Sequence, residues 1–303
     1  MASKLRISVS PHIHSTETVQ GIMLDVIISL LPAAIAGAII FGWRSLAVIA
    51  TCIITAVLSE FIFNRCVKET PTISDLSAVV TGLLLALNLP ANIPLWQAAV
   101  GSVFAIIVVK CFFGGMGCNL VNPAIAARVF MLVAFGSMAT AAFPVDSVSS
   151  ATPLSGEMPS LSVLFMGNYG GAIGETCTLA LIIGFIYLLV RRVITWHIPT
   201  AFIGTVFLFT LALNGFDFVA ALSAIMAGGL FIGAIFMATD YVTSPETAWG
   251  KIIFGFGAGI ITVMIRQWGN YPEGVSFAIL LMNILDPYIG IWTARKVFGG
   301  DKA

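Results

Sequence analysis

The chain has 303 residues, of which 59% are hydrophobic and 9% charged, and its formal net charge is zero. Soluble proteins carry about 25% charged residues, so this composition excludes a soluble domain, and the zero net charge gives no basis for a nucleic-acid partner. A mean hydropathy of +1.03 indicates contact with lipid. Because the apolar runs are too long and uniform for barrel strands, the sequence predicts an all-α, multi-pass membrane protein.

Ten apolar segments, separated by Gly, Pro or charged residues, are candidate membrane helices. The predicted spans are 22–41, 45–63, 74–89, 95–113, 122–139, 173–190, 199–213, 217–238, 250–267 and 274–294. The third and seventh spans are short. The eighth runs into the polar segment 237–245, which ends in Pro, and this pattern predicts a helix that breaks inside the membrane.

The basic residues are distributed unequally between the two sides of this ten-span arrangement. The side with both termini holds eleven of the 14 Lys and Arg residues, whereas the other side holds Arg44 and Arg266, and Arg128 lies within the fifth span. The positive-inside rule therefore predicts that both termini are cytoplasmic and that the long loop 140–172 lies outside.

The long loop divides the predicted spans into two halves of five. The expected organisation is a cytoplasmic arm (1–21), a first five-helix repeat (22–139), an extracytoplasmic loop (140–172) and a second five-helix repeat (173–303). Because five is odd, the halves enter the membrane in opposite directions, and a shared fold would make them inverted repeats.

The extracytoplasmic loop contains a hydroxyl that a modifying enzyme could use. Thr152 lies among small residues, and the loop holds Asp146 and Glu157 but no Lys or Arg. A covalently attached group on Thr152 is one interpretation. The other is a simple turn residue before Pro153.

A Gly-rich segment precedes the fifth span. Its three Gly residues allow close approach of the backbone to a ligand or a helix, and Asn122 followed by Pro123 predicts a capped helix start. A capped turn is one interpretation of this segment. The other is that Asn119 and Asn122 offer amide donors and acceptors to a heterocyclic ring.

Several acidic residues fall within or beside the predicted spans. Asp240 and Asp286 are candidates for an ion path, or for helix capping, because acids at membrane depth are costly and usually functional or paired. The acids nearer span ends, which we expect to be solvated or to cap helices, are Asp25, Glu60 and Asp75. Arg128 should be neutralised by an acid or a backbone carbonyl.

Cysteine and histidine do not predict a metal site. The five Cys residues contain no CxxC pair and should pack as small hydrophobes, with iron ligation by Cys111 and Cys118 as the alternative. His12 and His14 lack a third ligand and are interpreted as a surface contact.

Five strings, spread from the N-terminal arm to the last helix, match one protein family in the expected order. They are Ser-Pro-His-Ile-His-Ser at 10–15, the segment 119–124, Ser-Ser-Ala-Thr-Pro-Leu at 149–154, Met-Ala-Thr-Asp at 237–240 and the segment 271–278. They resemble the RnfD family of membrane proteins from the Rnf complex, which is homologous to a membrane component of the sodium-pumping NADH:quinone oxidoreductase.

The resemblance implies a flavoprotein subunit with two inverted five-helix repeats. It implies FMN joined through its phosphate to Thr152, although Ser150 stands where Gly is common, and a non-covalent riboflavin near Asn119 and Asn122. It also implies electron transfer between ferredoxin and NAD, coupled to Na⁺ or H⁺ movement. The implied partners are the other membrane and peripheral subunits, a flavin transferase and membrane lipid. The implied location is a bacterial or archaeal cell membrane.

Two other functions are compatible with a polytopic helical chain. Inverted five-helix repeats with broken helices also serve secondary transporters and channels, which would be colourless. A passive membrane scaffold for redox subunits is the third interpretation. Fold alone does not decide among them.

Overall fold

A computed structural model describes residues 18–67, 73–135, 159–269 and 274–294. This part of the chain is helical and contains no strand, apart from an isolated antiparallel bridge between Pro90 and Ala172. The helices are α1 (Val19–Phe41), α2 (Trp43–Val67), α3 (Ser77–Leu87), α4 (Leu95–Val103), α5 (Pro123–Ala134), α6 (Leu161–Met166), α7 (Thr178–Val190), α8 (His197–Leu213), α9 (Phe218–Met226), α10 (Leu230–Ile232), α11 (Ala248–Trp268) and α12 (Val275–Thr293).

Five of these helical segments are long and apolar enough to cross a membrane by themselves. They are α1, α2, α11, α12 and α4 together with its continuation as a π-helix (Phe104–Lys110) and a 3₁₀ turn (Cys111–Phe113). Helices α3, α5, α7 and α8 are apolar but shorter. A membrane protein is therefore confirmed. The prediction of ten spans stays a prediction, because several of the predicted spans are short helices in the described residues.

Helices α8 and α11 run side by side in the same direction. A Cβ added to Gly255 would lie 2.8 Å from the carbonyl oxygen of Ile198, and one added to Gly259 would lie 2.6 Å from the Cβ of Thr205. These two glycines, four residues apart, let the helix backbones approach closely, as small residues do in membrane helix pairs.

The two helices define two ends of the bundle. We call the end where α8 and α11 begin the Lys110 end, because Lys110 and Val193 line one cavity there. The opposite end, where both helices finish, is the Arg266 end. Helices α9 and α10 return from the Arg266 end to the Lys110 end.

The element formed by α9 and α10 is broken, but the break lies earlier in the chain than the sequence pattern predicted. Helix α9 ends at Met226, and α10, which continues as a π-helix (Gly233–Met237), starts at Leu230 with a bend of 65°. The turn contains Gly228 at φ +73°, a conformation that favours glycine. The break thus lies about ten residues before the polar segment 237–245.

The end of α3 crosses the segment that precedes α7. The amide of Gly174 donates to the carbonyl of Leu87 (2.7 Å), and the amide of Ile173 donates to the carbonyl of Leu89 (3.0 Å). This pairing satisfies backbone groups that a broken helix leaves open in an apolar medium. It also holds together residues that lie about 85 positions apart in the chain.

Arginines at the Arg266 end donate to carbonyls beside the α9–α10 break and in the connection after α3. Arg266 donates to the carbonyls of Ala224 (2.7 Å) and Ala227 (3.3 Å) beside the α9–α10 break. Arg44 donates in the same way to the carbonyl of Ala91 (3.2 Å), after α3. Both residues therefore stabilise irregular backbone within the bundle.

Candidate functional site

A small cavity at the Lys110 end brings together three residues that sequence patterning singled out. It encloses about 110 Å³, and its wall includes Asn119, Asn122 and Asp240. Lys110, Thr81 and Phe236 also line it. The predicted riboflavin contacts and one acid of the predicted ion path therefore face the same space.

Asn122 is largely occupied by structural hydrogen bonds. Its Oδ1 accepts from the amides of Ala124 (3.0 Å) and Ile125 (3.3 Å), so it caps α5 as predicted, with Pro123 in the first turn. Its Nδ2 donates to the carbonyl of Met237 (3.4 Å). Asn122 thus joins the start of α5 to the end of the broken helix.

The backbone of Asn122 is held by a second asparagine. In the amide orientation that satisfies its hydrogen bonds, Asn283 of α12 accepts from the Asn122 amide (3.0 Å) and donates to the carbonyl of Thr243 (3.1 Å). Asn283 is 1% exposed. One buried side chain therefore ties three segments together beside the cavity.

Asn119 has unused hydrogen-bonding capacity. Its Oδ1 is buried and has no hydrogen-bond partner among the described residues. Buried polar atoms are rarely left unsatisfied, so this acceptor is suited to a donor supplied by a ligand. Of the two asparagines, Asn119 is therefore the one whose side chain is available to a bound ring.

Lys110 brings a buried positive charge to the cavity wall. Its Nζ lies 2.9 Å from each carboxylate oxygen of Glu60 and donates to the hydroxyl of Ser77 at 2.6 Å. Both side chains of the ion pair are 3% exposed. The expectation that Glu60 is solvated or caps a helix is wrong, because it is buried against Lys110 of the π-helix that continues α4.

The other two acids near span ends have different roles. Asp75 accepts from the amide of Ser77 at 2.8 Å, a capping interaction at the start of α3 that matches its predicted role. Asp25 pairs with Arg191 at 3.0 Å and accepts from the hydroxyl of Tyr187 at 2.8 Å. Asp25 therefore joins α1 to the end of α7, and the expectation that it is solvated or caps a helix is wrong.

The two acids of the predicted ion path lie on opposite sides of one short segment. Tyr241 and Val242 line the cavity that contains Asp240, and they also line an open pocket of about 600 Å³ that contains Asp286 and Glu246. Thr243 donates to Asp240 at 3.2 Å. The structure therefore brings the two acids near each other, but not into one cavity.

A second buried ion pair lies where the broken elements meet. Arg128 of α5 pairs with Glu175 at 2.6 Å, and these side chains are 4% and 2% exposed. Arg128 also donates to Oδ1 of Asn88, which follows α3. The prediction that an acid neutralises Arg128 is confirmed.

A pocket of about 550 Å³ opens at the Arg266 end. It is lined by the start of α9, the last turns of α8 and α11, and the residues that begin α6; its polar lining includes Arg266, Asp217 and Ser223. Its volume is within the range of about 300–1,000 Å³ typical of ligand pockets.

Thr152, like His12 and His14, lies outside the described residues, so its predicted flavin attachment stays a prediction. Sequence patterning missed Lys110, Glu175 and Asn88 as members of buried clusters. One signal for the pairing of Lys110 with Glu60 was available, since both are charged residues of opposite sign within predicted apolar spans. No local signal pairs Glu175 with Arg128, because 47 residues separate them.

Comparisons with known proteins agree over nearly the whole chain. Residues 6–299 match the model of the "NQR2, RnfD, RnfE family". A protein of Acetobacterium woodii, named as a subunit of the Na(+)-translocating ferredoxin:NAD(+) oxidoreductase complex, is 46% identical over 310 residues, which cover 98% of this chain and 96% of the relative.

Two further relatives show the same extent of similarity. A protein of Clostridium ljungdahlii, named as a subunit of the proton-translocating ferredoxin:NAD(+) oxidoreductase complex, is 42% identical, with 97% of this chain and 96% of the relative covered. A protein of Marinobacter nauticus, named as a subunit of an ion-translocating oxidoreductase complex, is 34% identical, with 97% and 95% covered. The chain therefore belongs to the NQR2, RnfD, RnfE family.

Proposed function

We propose that this chain is an integral electron-transfer subunit of an ion-translocating ferredoxin:NAD oxidoreductase complex. The observation that carries the proposal is full-length similarity to proteins named as subunits of such complexes, at up to 46% identity. Those relatives are named for sodium in one case and protons in another. The partners of the chain are then the other membrane and peripheral subunits of its complex.

The proposed cofactors are an FMN attached through its phosphate to Thr152 and a non-covalent riboflavin near Asn119. A flavin would supply reversible electron transfer. Support for the second site is the unsatisfied acceptor of Asn119 on the cavity wall. A cavity of about 110 Å³ is smaller than usual ligand pockets, so the lining side chains must move apart to admit a tricyclic ring.

The proposed topology is ten membrane crossings in two inverted five-helix repeats, with the Lys110 end in the cytoplasm. Arg191, Lys110 and Lys251 lie at this end, since Lys251 donates to Thr195 beside the start of α8. Arg44 and Arg266 lie toward the opposite end. This distribution supports the positive-inside assignment, and with it an extracytoplasmic Thr152.

The covalent flavin is tested with Thr152→Ala. Removing the hydroxyl removes the only atom to which the proposed phosphoester can form at this position. We expect the variant to lose the fluorescent band of the subunit on a denaturing gel, when it is expressed in its native host with an active flavin transferase.

Ser150→Ala is the matched control, since it removes a hydroxyl from the same loop. It should keep the fluorescent band and an intact mass that includes the flavin. A fluorescent band in Thr152→Ala would exclude this attachment point, and unmodified mass in the parent chain would exclude covalent attachment altogether.

The riboflavin site is tested by separating the roles of the two asparagines. Asn119→Leu should lower the non-covalent riboflavin of the purified chain and leave the covalent FMN and the melting temperature unchanged. Asn122→Ala should lower both the riboflavin and the melting temperature, because it removes a helix cap worth about 1 kcal/mol.

Thr81→Val provides the control for a changed cavity wall. The Thr81 hydroxyl already donates to the carbonyl of Ser77 at 3.0 Å, so riboflavin content should stay near that of the parent. Unchanged riboflavin in the double variant Asn119→Leu with Asn122→Ala would refute the site, whatever the outcome for Thr152.

A further inference from the structure

The segment that follows the broken helix has a different space on each side. The cavity of about 110 Å³ that contains Asn119 lies on one side, and the open pocket of about 600 Å³ lies on the other. Tyr241 and Val242 contribute to the wall of both. One short stretch of chain is therefore a wall that the cavity and the pocket share.

The shared wall is built of turns and hydrogen bonds, and residues 239–244 are not helical. The hydroxyl of Ser244 donates to the carbonyl of Asp240 at 2.7 Å, and the hydroxyl of Tyr241 donates to the carbonyl of Val193. The Tyr241 side chain is largely solvent-accessible, since the residue is 56% exposed. Rotation of this side chain would open the shared wall without unwinding a helix.

The pocket beyond the shared wall is rich in hydrogen-bond acceptors. Asp286 and Glu246 supply carboxylates, and Ser244 and Thr247 supply hydroxyl groups. Among the described residues that line the pocket, none is Lys or Arg. Oδ1 of Asp286 is buried and has no hydrogen-bond partner within the described part of the chain. Because ionised carboxylates accept hydrogen bonds and do not donate them, the pocket suits a group that carries several hydroxyl donors and no negative charge.

We propose that this pocket binds the hydroxylated (ribityl) chain of a flavin whose ring occupies the cavity, and that Asp286 and Glu246 make the site specific for riboflavin over FMN. The two flavins differ only in the phosphate at the end of that chain. Hydroxyl groups donate to carboxylates in strong, charge-assisted hydrogen bonds. A phosphate in the same place is repelled by both carboxylates, because like charges a few ångströms apart destabilise each other.

The sizes of the two spaces agree with this assignment. The cavity of about 110 Å³ is below the range of about 300–1,000 Å³ typical of ligand pockets, whereas the pocket of about 600 Å³ is within it. A flavin that extends through the shared wall would use both spaces. This inference rests on the proposed riboflavin site, and it adds where the chain of the ligand lies and why a phosphate is rejected.

The test compares the binding of three flavins to the purified full-length chain in detergent. The probes are riboflavin, FMN and lumiflavin, which has a methyl group in place of the hydroxylated chain. Bound flavin is measured by equilibrium dialysis and then by chromatography of the flavin that denatured protein releases, so that covalently attached FMN is not counted. The parent chain should bind riboflavin more tightly than it binds FMN or lumiflavin.

The variant Glu246→Gln with Asp286→Asn removes both charges and keeps hydrogen-bonding groups. We expect its affinity for FMN, relative to riboflavin, to rise by about tenfold or more, because the repulsion of the phosphate is lost. Lumiflavin affinity should not change. An unchanged preference between riboflavin and FMN would overturn the proposal.

Asp217→Asn is the matched control for loss of an acid. Asp217 lies at the Arg266 end, where it caps α9, and asparagine caps a helix as well as aspartate does. This variant should therefore keep the preference of the parent chain. A gain in FMN binding equal to that of the Glu246/Asp286 variant would show that net charge, and not the pocket, sets the preference, and would overturn the proposal.

A second variant tests the pocket by its volume. Gly290 lines the pocket, and a Cβ there would meet no atom within 4 Å. Gly290→Leu fills part of the pocket with an apolar group, so it should weaken riboflavin binding by about tenfold, through lost hydrogen bonds to charged groups, and leave lumiflavin binding unchanged. Unchanged riboflavin binding, or an equal loss for both ligands, would overturn the subsite.

Failure of this inference is distinguishable from failure of the proposed function. Riboflavin binding that depends on Asn119 but not on the pocket variants would keep the riboflavin site and overturn its extension into the pocket. Absence of bound riboflavin from the parent chain would overturn both. The covalent FMN and the electron-transfer role would stand in either case.

Discussion

Lys110 and Glu60 make an ion pair in which each side chain is 3% exposed. Taking such charges out of water is costly, and the geometry must compensate. Here Nζ has three acceptors within 2.9 Å, since both oxygens of Glu60 and the hydroxyl of Ser77 surround it. The pair is stable as a unit, and removing one partner takes a close counter-ion away from the other.

This predicts that Lys110→Met destabilises the protein strongly, by about 3–5 kcal/mol, because the buried carboxyl group of Glu60 then loses its counter-ion. The combined variant Lys110→Met with Glu60→Leu should recover most of this loss. The measurement is the unfolding transition of the purified chain in detergent, followed by circular dichroism.

Asp25 and Arg191 provide the comparison for a pair with one exposed partner, since the Arg191 side chain is 53% exposed and that of Asp25 is 7% exposed. Arg191→Gln should cost less than Lys110→Met, because Arg191 is largely solvated and the Tyr187 hydroxyl still donates to Asp25. A loss in Arg191→Gln as large as that in Lys110→Met would show that burial does not set the cost of breaking these pairs.

At the scale of elements, the close contact between α8 and α11 depends on glycines in α11, which have no side chain to hold the two helices apart. A Cβ at position 259 would lie 2.6 Å from the Cβ of Thr205 and 3.2 Å from the carbonyl oxygen of Phe202. We therefore expect Gly259→Val to force the helices apart and to destabilise the protein by about 1–3 kcal/mol. Thermal unfolding in detergent measures this effect.

Gly290 of α12 is the matched control. A Cβ there would meet no atom within 4 Å. Gly290→Ala should leave stability unchanged or increase it by up to about 1 kcal/mol, since alanine favours a helix more than glycine does. A similar loss for both glycines would contradict the packing role of Gly259.

Much of the helical order could be predicted from apolar runs and from helix punctuation. The predicted span 22–41 corresponds to α1 (Val19–Phe41), and Asn122 with Pro123 correctly marked the start of α5. The break between α9 and α10 was placed too late. Polar residues and Pro at 237–245 gave a stronger local signal than Gly228 and Gly229, although the glycines are where the backbone turns.

At the scale of the whole molecule, the candidate site depends on contacts between distant segments. Patterning predicted Asn119, Asn122 and Asp240 individually, and a cavity joins them. It could not predict that Lys110 faces the same cavity, because that requires the packing of α2, α3 and α4. Nor could it pair Arg128 with Glu175, since helical periodicity carries no information about which distant segments meet.

The crossing of residues 87–89 with residues 172–174 has a consequence for biosynthesis. The carbonyl of Leu87 accepts from the amide of Gly174 and that of Leu89 from the amide of Ile173, and these donors leave the ribosome about 85 residues later. Until then these acceptors need water or a temporary donor, because hydrocarbon offers none. The first half of the chain is therefore incomplete at insertion, and it reaches its native backbone pairing only when the start of the second half arrives.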